Sequence, residues 1–352
     1  MPSFSKRVAP MSECQPYSEA SLHDRWIAAF SQHGTVPHQC PAFIAAATSG
    51  SLVFIDAGHS LSAFAVEGAL GTCFLQGTGL LPTRCEGVDP LELVSAARSH
   101  LGIDTLYMPL LYDDIPYTAE LLRLDDAVVL RRRPSPTICW DRRGADLWGR
   151  CELRLGSRAR RRRKRFEESG LSVRTVTGDE AMRAVDRVEL SSWKARMGQD
   201  MRSRGQWAFY QHLILGGAAS VRVASRDREA LAYRLDMIVD RTVFCLKWSF
   251  DERSRRFSPG FYLLAVDLVS SYSDAAIDRI DLFGAPDALK DSLADGSRER
   301  LDLAWPSGPM ASTVLAERAE HDRRTLTNYE CGKSIRSNYR IARTSPQTEA
   351  PT

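Results

Sequence analysis

The densest group of residues able to do chemistry is a run of cations near the middle of the chain. Seven of the eight residues in 158–165 are positively charged, namely Arg158, Arg160, Arg161, Arg162, Arg163, Lys164 and Arg165. Like charges at positions i and i+4 of a helix repel, so a face that meets only solvent should favour mixed signs. Arginine is also the better planar, bidentate partner for phosphate. The run indicates a helix that binds a phosphorylated molecule or an RNA backbone, with a solvated helix face as the alternative.

A second group of polar residues lies at the end of a predicted buried strand, 277–283. Asp281 and Gly284 close this strand, and Lys290 follows six residues after the glycine. Ligands collect at the ends of strands in open α/β sheets. Each residue also has a purely structural interpretation, because Asp281 could cap the strand, Gly284 could supply a turn with positive φ, and Lys290 could be a surface lysine.

Aromatic and polar residues near a loop rich in glycine and arginine, 196–205, form a third group. They could build a substrate pocket or stack a nucleobase, and they could equally be helix packing or cross-strand pairs. The candidates are Trp193, Trp207, Tyr210, Tyr233 and Lys247.

Other familiar site motifs are broken or absent. Gly332-Lys333-Ser334 imitates the end of a phosphate-binding P-loop, but Thr327 stands where the first glycine is required. Gly77 and Gly79 begin a dinucleotide fingerprint that Pro82 breaks. No G-x-S-x-G elbow occurs, and the histidines show no metal-binding spacing, so no metal site is expected.

Composition indicates an ordinary globular protein. The net charge is +3, and the eight cysteines form no C-x-x-C pair, which favours reduced, buried thiols. Residues 1–7 are polar and no apolar run is long enough to span a bilayer, so we expect a cytoplasmic protein without a membrane span.

Short β-like runs alternate with helical ones along the chain, which is the pattern of an α/β architecture. The first half predicts strands at 51–56, 61–67, 72–76, 105–111 and 127–131, and helices at 90–101 and 117–124. Residues 134–150, with two prolines and two glycines, predict a crossing between the halves. The second half predicts helices at 151–169, 179–196, 206–215, 288–293, from Pro259 onward and within 309–339. Its predicted strands are 171–176, 220–224, 230–239, 242–250, 277–283 and 300–305.

Three local features in this order resemble the GNAT acyltransferase fold. They are the cationic helix 157–166, Ser258-Pro259-Gly260 opening an apolar helix soon after Phe250-Asp251, and Asp281-Leu282-Phe283-Gly284 followed by Lys290. The set looks like the CelD or BcsL branch, which is related to the FemAB peptidoglycan aminoacyltransferases. It covers residues 150–295, and the first half of the chain is similar more weakly.

The resemblance implies a fold of tandem GNAT-like halves, each a mixed, mostly antiparallel sheet flanked by helices, with the second half better preserved. The expected organisation is a flexible N-terminus at 1–20, a degenerate half at 21–150, the acyltransferase half at 151–343 and a flexible tail at 344–352.

In GNAT folds the start of the equivalent helix receives the donor's pyrophosphate, which free N–H groups and the helix dipole favour. Ser258 would be the N-cap and Pro259 the first helical residue. The usual Gln/Arg-x-x-Gly-x-Gly/Ala loop is missing here, and nearby arginines could supply charge in its place. The implied donor-binding residues are Ser258, Pro259, Gly260, Arg253, Arg255, Arg256 and Gly284.

In FemAB relatives a lysine that matches Lys290 is implicated in holding the transferring carbonyl, where a cation would stabilise the tetrahedral intermediate. Asp281 belongs to the same implied catalytic set. Because an attacking amine must lose a proton, Asp236 is a candidate base.

We therefore expect an N-acyltransferase in which a small-molecule or peptide amine attacks an activated carbonyl directly. Acyl-coenzyme A is the first candidate donor. The alternative is an aminoacyl-tRNA held by the cationic helix, as in FemAB-like enzymes. A third interpretation is a GNAT-like module without catalysis that binds nucleic acid or a partner through the same helix.

Overall fold

The structure is a computed structural model, and it describes residues 19–43, 52–56, 60–67, 70–72, 81–82, 105–124, 127–139, 147–272, 276–284, 286–306 and 316. Several predicted segments fall outside the described residues. They are most of 1–20, residues 73–76 of the strand 72–76, the helix 90–101, all of 309–339 except Ala316, and the tail 344–352.

Strands and helices alternate as the sequence predicts. The strands are β1 (Leu52–Asp56), β2 (Ser60–Glu67), β3 (Leu70–Thr72), β4 (Leu81–Pro82), β5 (Thr105–Tyr112), β6 (Val128–Cys139), β7 (Ser172–Val176), β8 (Ser220–Arg226), β9 (Glu229–Val239), β10 (Thr242–Phe250), β11 (Arg279–Asp281) and β12 (Gly296–Pro306). The helices are α1 (Glu19–His33), α2 (Pro116–Leu121), α3 (Leu147–Leu155), α4 (Ser157–Glu167), α5 (Gly178–Leu190), α6 (Trp193–Arg196), α7 (Trp207–Leu215), α8 (Pro259–Tyr262), α9 (Leu268–Tyr272) and α10 (Ala288–Leu293).

All twelve strands belong to one sheet with the order β1-β2-β3-β5-β12-β6-β11-β10-β9-β8-β7, and β4 pairs with β2. Neighbours are antiparallel except for the parallel pairs β3–β5 and β10–β11. A mixed, mostly antiparallel sheet flanked by helices confirms the predicted fold class. The last described strand, β12, lies between β5 and β6, so the two halves share one sheet. The predicted boundary at residue 150 stays a prediction.

The predicted crossing at 134–150 is wrong in its first part, because β6 continues to Cys139. Pro134 and Pro136 are accommodated by their orientation. The carbonyl of Pro136 accepts a hydrogen bond from the amide of Leu282, which lies on the side of β6 away from β12. In a strand the N and the C=O of one residue point the same way, so both prolines keep their missing N–H groups off the β12 ladder.

The predicted helix 151–169 is two helices, α3 and α4, which meet at Gly156. Gly156 has φ +59, a conformation that residues with a Cβ rarely adopt. This break turns α4 away from α3, so the cationic residues belong to a short helix with its own direction. The predicted helix 179–196 is likewise divided, into α5 and α6.

Between α8 and α9 the chain makes a π turn, Leu263–Asp267. Its cause is Arg234 on β9, which is fully buried and donates to the carbonyl of Leu263 and, at 3.2 Å, to the Asp267 carboxylate. A side chain that inserts into the helical hydrogen-bond ladder widens it locally. The helix over 259–272 is thereby joined to the sheet directly beside the candidate site.

Candidate active site

The parallel strands β10 and β11 stay together for only three residues. Thr242, Val243 and Phe244 pair with β11, after which β10 runs on to Phe250. Beyond Phe244 no other described strand takes the place of β11 along β10. The carbonyl of Trp248 in this stretch instead accepts a hydrogen bond of 2.6 Å from the Lys194 ammonium. A gap therefore opens in the middle of the sheet, and residues from both of its faces reach this gap.

A cavity of about 530 Å³ lies at one end of the gap. It lies between α4, the start of α8 and the outer part of β10. Its lining residues are Arg162, Arg165, Trp248, Phe250, Arg255, Arg256, Ser258, Pro259, Gly260, Phe261 and Leu289. Four arginines over an aromatic floor make this cavity suited to a molecule that carries both phosphates and apolar groups.

The cationic helix α4 has two distinct sides. Arg160, Arg163 and Lys164 each form an ion pair with a glutamate on α3 or at the end of α4, at 2.9, 2.7 and 3.5 Å. The other side carries cations for which no hydrogen bond or ion pair is found with the described residues, namely Arg158, Arg161, Arg162 and Arg165. These four lie within about 100° of arc on an ideal helix. Only Arg162 and Arg165 reach the cavity lining.

The start of α8 approaches β10 closely. Ser258 is the N-cap and Pro259 the first helical residue, as predicted, but Ser258 adopts φ +57 and its side chain makes no capping hydrogen bond. A Cβ on Gly260 would lie 2.8 Å from a ring carbon of Phe250 and 3.0 Å from one of Trp248. Glycine at this position therefore lets the helix start contact the aromatic floor.

The three predicted donor arginines separate into two groups. Arg255 and Arg256 line the cavity, as do Arg162 and Arg165 from the predicted RNA-binding helix. Arg253 pairs with Asp251 at 2.6 Å and is not part of the lining. The structure thus brings residues from two separate predicted sets to one cavity.

Lys290 lies on α10, beside the cavity-lining Leu289, and donates a hydrogen bond of 2.7 Å to the carbonyl of Phe283. The turn that presents this carbonyl has left-handed residues, with φ 38 at Phe283 and φ 95 at Gly284. A Cβ on Gly284 would come within 3.2 Å of the Lys290 ammonium. Asp281 accepts hydrogen bonds from the Phe283 amide at 2.9 Å and from Ser135 at 2.6 Å. Asp281 and Gly284 therefore shape the turn that holds Lys290.

The Lys290 side chain is not in the environment of a surface lysine. Burial lowers its pKa to about 8, Asp287 raises it, and Arg300 lowers it. Because the pKa lies close to neutral pH, modest changes in pH alter the charge at this end of the gap.

On the opposite face of β10, Lys247, Tyr233 and Tyr210 gather around a residue that sequence analysis missed, Glu189 on α5. Glu189 is 2% exposed and accepts hydrogen bonds from the Tyr233 hydroxyl at 2.6 Å and from the Met201 amide at 2.8 Å. The Lys247 ammonium lies 3.7 Å from Glu189 and 5.1 Å from the centroid of the Tyr210 ring.

Burial also lowers the pKa values of two lysines on this side of the gap. That of Lys247 falls to about 7, although Glu189 raises it, and that of Lys194 is lowered as well. The signal that could have found Glu189 is a carboxylate on the apolar face of a helix, one residue after Val188 and four after Val185.

Three predicted site residues lie elsewhere. Asp236 is 1% exposed on the face covered by α8 and α9, where Arg234 and the Tyr272 hydroxyl bind its carboxylate at 2.8 and 2.9 Å. Asp236 is therefore a buried ion-pair partner between the sheet and the helix. Trp193 is 36% exposed, and the Trp207 ring stacks with Arg202 at 4.0 Å.

A comparison with known proteins finds a family match in the second half of the chain. Residues 154–291 match a family model for the acetyltransferase (GNAT) domain. This stretch holds α4, the cavity-lining arginines and Lys290, which are the features that carried the resemblance. The match supports a GNAT-type domain in these residues and a transferase. No curated protein sequence matches the chain.

Solved structures that resemble the chain extend over both halves. FemX has a TM-score of 0.61 at 10% identity, covering 83% of this chain and 98% of its own. L-PGS from Bacillus licheniformis has a TM-score of 0.59 at 12% identity, covering 86% and 97%. At these identities the likeness shows the fold alone, and it includes the first half of the chain.

Two absences apply to the described part of the chain. It holds no helix that is long and apolar enough to cross a membrane. It also holds no group of three or more His, Cys, Asp or Glu residues that could bind a metal ion.

Proposed function

We propose that the protein is an N-acyltransferase that uses acyl-coenzyme A as donor and an amine as acceptor. The observation that carries this proposal is the cavity with four arginines at the start of α8, beside the gap between β10 and β11. The arginines and the first amides of α8 would bind the donor's phosphates, and the Trp248 and Phe250 rings would pack against its apolar parts.

The transfer would take place where the gap reaches Lys290. The acceptor nitrogen attacks the thioester carbonyl, a C–N bond forms, the C–S bond breaks, and the thiolate leaves with coenzyme A and takes up a proton. In the protonated form, the Lys290 ammonium would stabilise the negative charge that develops on the carbonyl oxygen. Asp281 and Gly284 would act as positioning residues through the turn that holds this lysine.

The acceptor would enter from the face of β10 that carries Glu189, Tyr233 and Lys247. A base must take the proton that the amine loses. With a pKa of about 7, Lys247 is partly neutral at physiological pH and can accept it, whereas Asp236 is committed to Arg234. We accordingly assign the role of the base to Lys247. The cytoplasmic location of the protein stays a prediction.

An aminoacyl-tRNA donor is the second candidate, and a specific observation favours it. Arg158 and Arg161 share the unpaired side of α4 with Arg162 and Arg165 but do not line the cavity. They extend the cationic surface beyond the space that one pyrophosphate needs, and an RNA strand could follow it.

Thermal melting with each donor tests the proposal. Coenzyme A should raise the melting temperature, because a ligand at one hundred times its Kd stabilises a fold by about 2.7 kcal/mol. Bulk tRNA in a gel-shift titration is the comparison. If saturating coenzyme A does not shift the melting temperature and tRNA binding weakens steeply with salt, aminoacyl-tRNA replaces acyl-coenzyme A as the proposed donor.

A further inference from the structure

Arg300 on β12 is a buried cation. It is 4% exposed, and no hydrogen bond or ion pair joins its guanidinium to any described residue. Its Nε is fully buried and has no acceptor among the described residues. The guanidinium contacts the Phe283 ring, whose centroid lies 5.2 Å away, and its charge acts on the Tyr112 hydroxyl and the Lys290 ammonium.

Asp302 and Asp281 form ion pairs with other arginines rather than with Arg300. Asp302 pairs with Arg133 at 2.5 Å. One oxygen of Asp281 accepts from Ser135 and the Phe283 amide, and the other lies 3.6 Å from Arg298 and has no hydrogen-bond partner among the described residues. Arg133, which directly faces Arg300 across the β6–β12 ladder, adds a further positive charge. No carboxylate of the described residues therefore forms an ion pair with Arg300.

Phe283 joins this cation to the candidate active site. Its ring contacts Arg300, and its carbonyl accepts the hydrogen bond from Lys290. The guanidinium and the ammonium thus lie on two sides of one residue, in the strained turn that follows β11. An anion bound at Arg300 would lie within reach of a molecule reacting at Lys290.

An unpaired buried arginine is costly, because its lost hydration is not repaid by a counter-charge. The planar fork of its N–H groups matches a carboxylate. We propose that Arg300 binds a carboxylate of the acceptor, so that the acceptor is an amine that also carries a carboxylate, such as an amino acid or a peptide end. This inference rests on the proposed acyl transfer for the role of the bound molecule, but not for the binding itself.

A binding experiment tests the subsite without catalysis. N-acetylglycine, a carboxylate that resembles an acylated product, should raise the melting temperature of the wild type, and its neutral amide, N-acetylglycinamide, should not. Arg300→Met should abolish the shift and Arg300→Lys should keep part of it. Arg132→Gln is the control, because Arg132 on β6 is exposed and pairs with Glu299. Without ligand, Arg300→Met should melt no lower than the wild type, since it removes an unpaired buried charge.

Steady-state kinetics then address the acceptor. With acetyl-coenzyme A as donor, amino acids should be better acceptors than their carboxamides by on the order of 10- to 100-fold in kcat/KM, the scale of one charge-assisted hydrogen bond. Arg300→Met should remove the preference and leave the donor KM unchanged.

The outcomes separate the two claims. Transfer to amines without any preference for a carboxylate, or a preference that survives in Arg300→Met, overturns the subsite and leaves acyl transfer standing. An Arg300-dependent shift with N-acetylglycine but no transfer to any amine keeps the subsite and removes the proposed function. Three results overturn the subsite. N-acetylglycine fails to shift the melting temperature of the wild type, inorganic phosphate alone shifts it, or Arg300→Met without ligand melts well below the wild type.

Discussion

The chemical properties of Lys290 depend on the residues that surround it in the fold. In the sequence it is one lysine on a short predicted helix, and only the resemblance gave it a role. In the structure its ammonium is buried against the Phe283 carbonyl, in a turn closed by Asp281 and Gly284. The residue types and spacing predicted which residues surround Lys290, but they did not predict the burial that lowers its pKa, to which the charge of Arg300 adds.

The charge of Lys290 leads to a pH prediction. Its pKa of about 8 means that the ammonium is populated below pH 8 and lost above it. If the ammonium stabilises the oxyanion, kcat should fall as pH rises through 8. Lys290→Met should lower kcat by about 10²–10³, the scale of one lost oxyanion donor, and flatten that limb.

Lys290→Arg is the matched variant, since it keeps the charge at high pH and should move the limb to higher pH. A melting scan of each variant separates catalysis from folding. An unchanged pH profile in Lys290→Met would remove this lysine from the mechanism.

Gly260 gives a second prediction at this scale. An added Cβ would lie under 3.0 Å from the Phe250 ring, so Gly260→Ala should push the start of α8 away from β10. We expect a loss of about 1–3 kcal/mol in the free energy of unfolding, as for other overpacked sites. The donor KM should rise more than the acceptor KM, and equal rises would point to general disorder of the site.

At the scale of elements, α4 was predicted as a cationic helix, but its division into two sides was not. Glu152, which pairs with Arg160, lies on α3, and the Gly156 break between the helices was not foreseen. The prolines of β6 led to the wrong prediction that the strand ends before Pro134. A proline whose nitrogen points away from the β12 ladder does not end a strand. Patterns along the sequence predicted most element types and fewer of the boundaries.

Two double variants of α4 remove the same charge from opposite sides. Arg162→Gln with Arg165→Gln should raise the Kd for coenzyme A by about 10- to 100-fold, because charged hydrogen bonds to phosphate are lost. Arg160→Gln with Lys164→Gln should change it by about twofold or less, because exposed ion pairs contribute little. Calorimetric titration measures both, and equal effects would mean that only the total charge of the helix matters.

At the scale of the whole molecule, β12 is the feature that sequence analysis could not foresee. The strand itself was predicted at 300–305, but its place between β5 and β6 depends on pairings about 160 to 200 residues apart, which leave no local pattern. The likeness of both halves to FemX and L-PGS agrees with this shared sheet.

The shared sheet predicts that the halves do not fold separately. A fragment of residues 147–295 lacks both β6 and β12, so β11 loses its neighbour and the gap loses one wall. We expect this fragment to show no cooperative melting transition. A chain that lacks only 344–352 is the control and should melt like the full protein. A fragment that melts cooperatively and binds coenzyme A would show that the second half is independent.

The most direct test of the account is the donor KM of three proteins in an acetyl-transfer assay with acetyl-coenzyme A and an amino-acid acceptor. Arg255→Gln with Arg256→Gln removes two cavity arginines and should raise the donor KM by about 10-fold or more per arginine, with little change in acceptor KM. Arg253→Gln removes a charge from the same loop, outside the cavity, and should leave the donor KM close to that of the wild type. A donor KM that rises equally in both variants, or in neither, would contradict the assignment of the cavity to the donor.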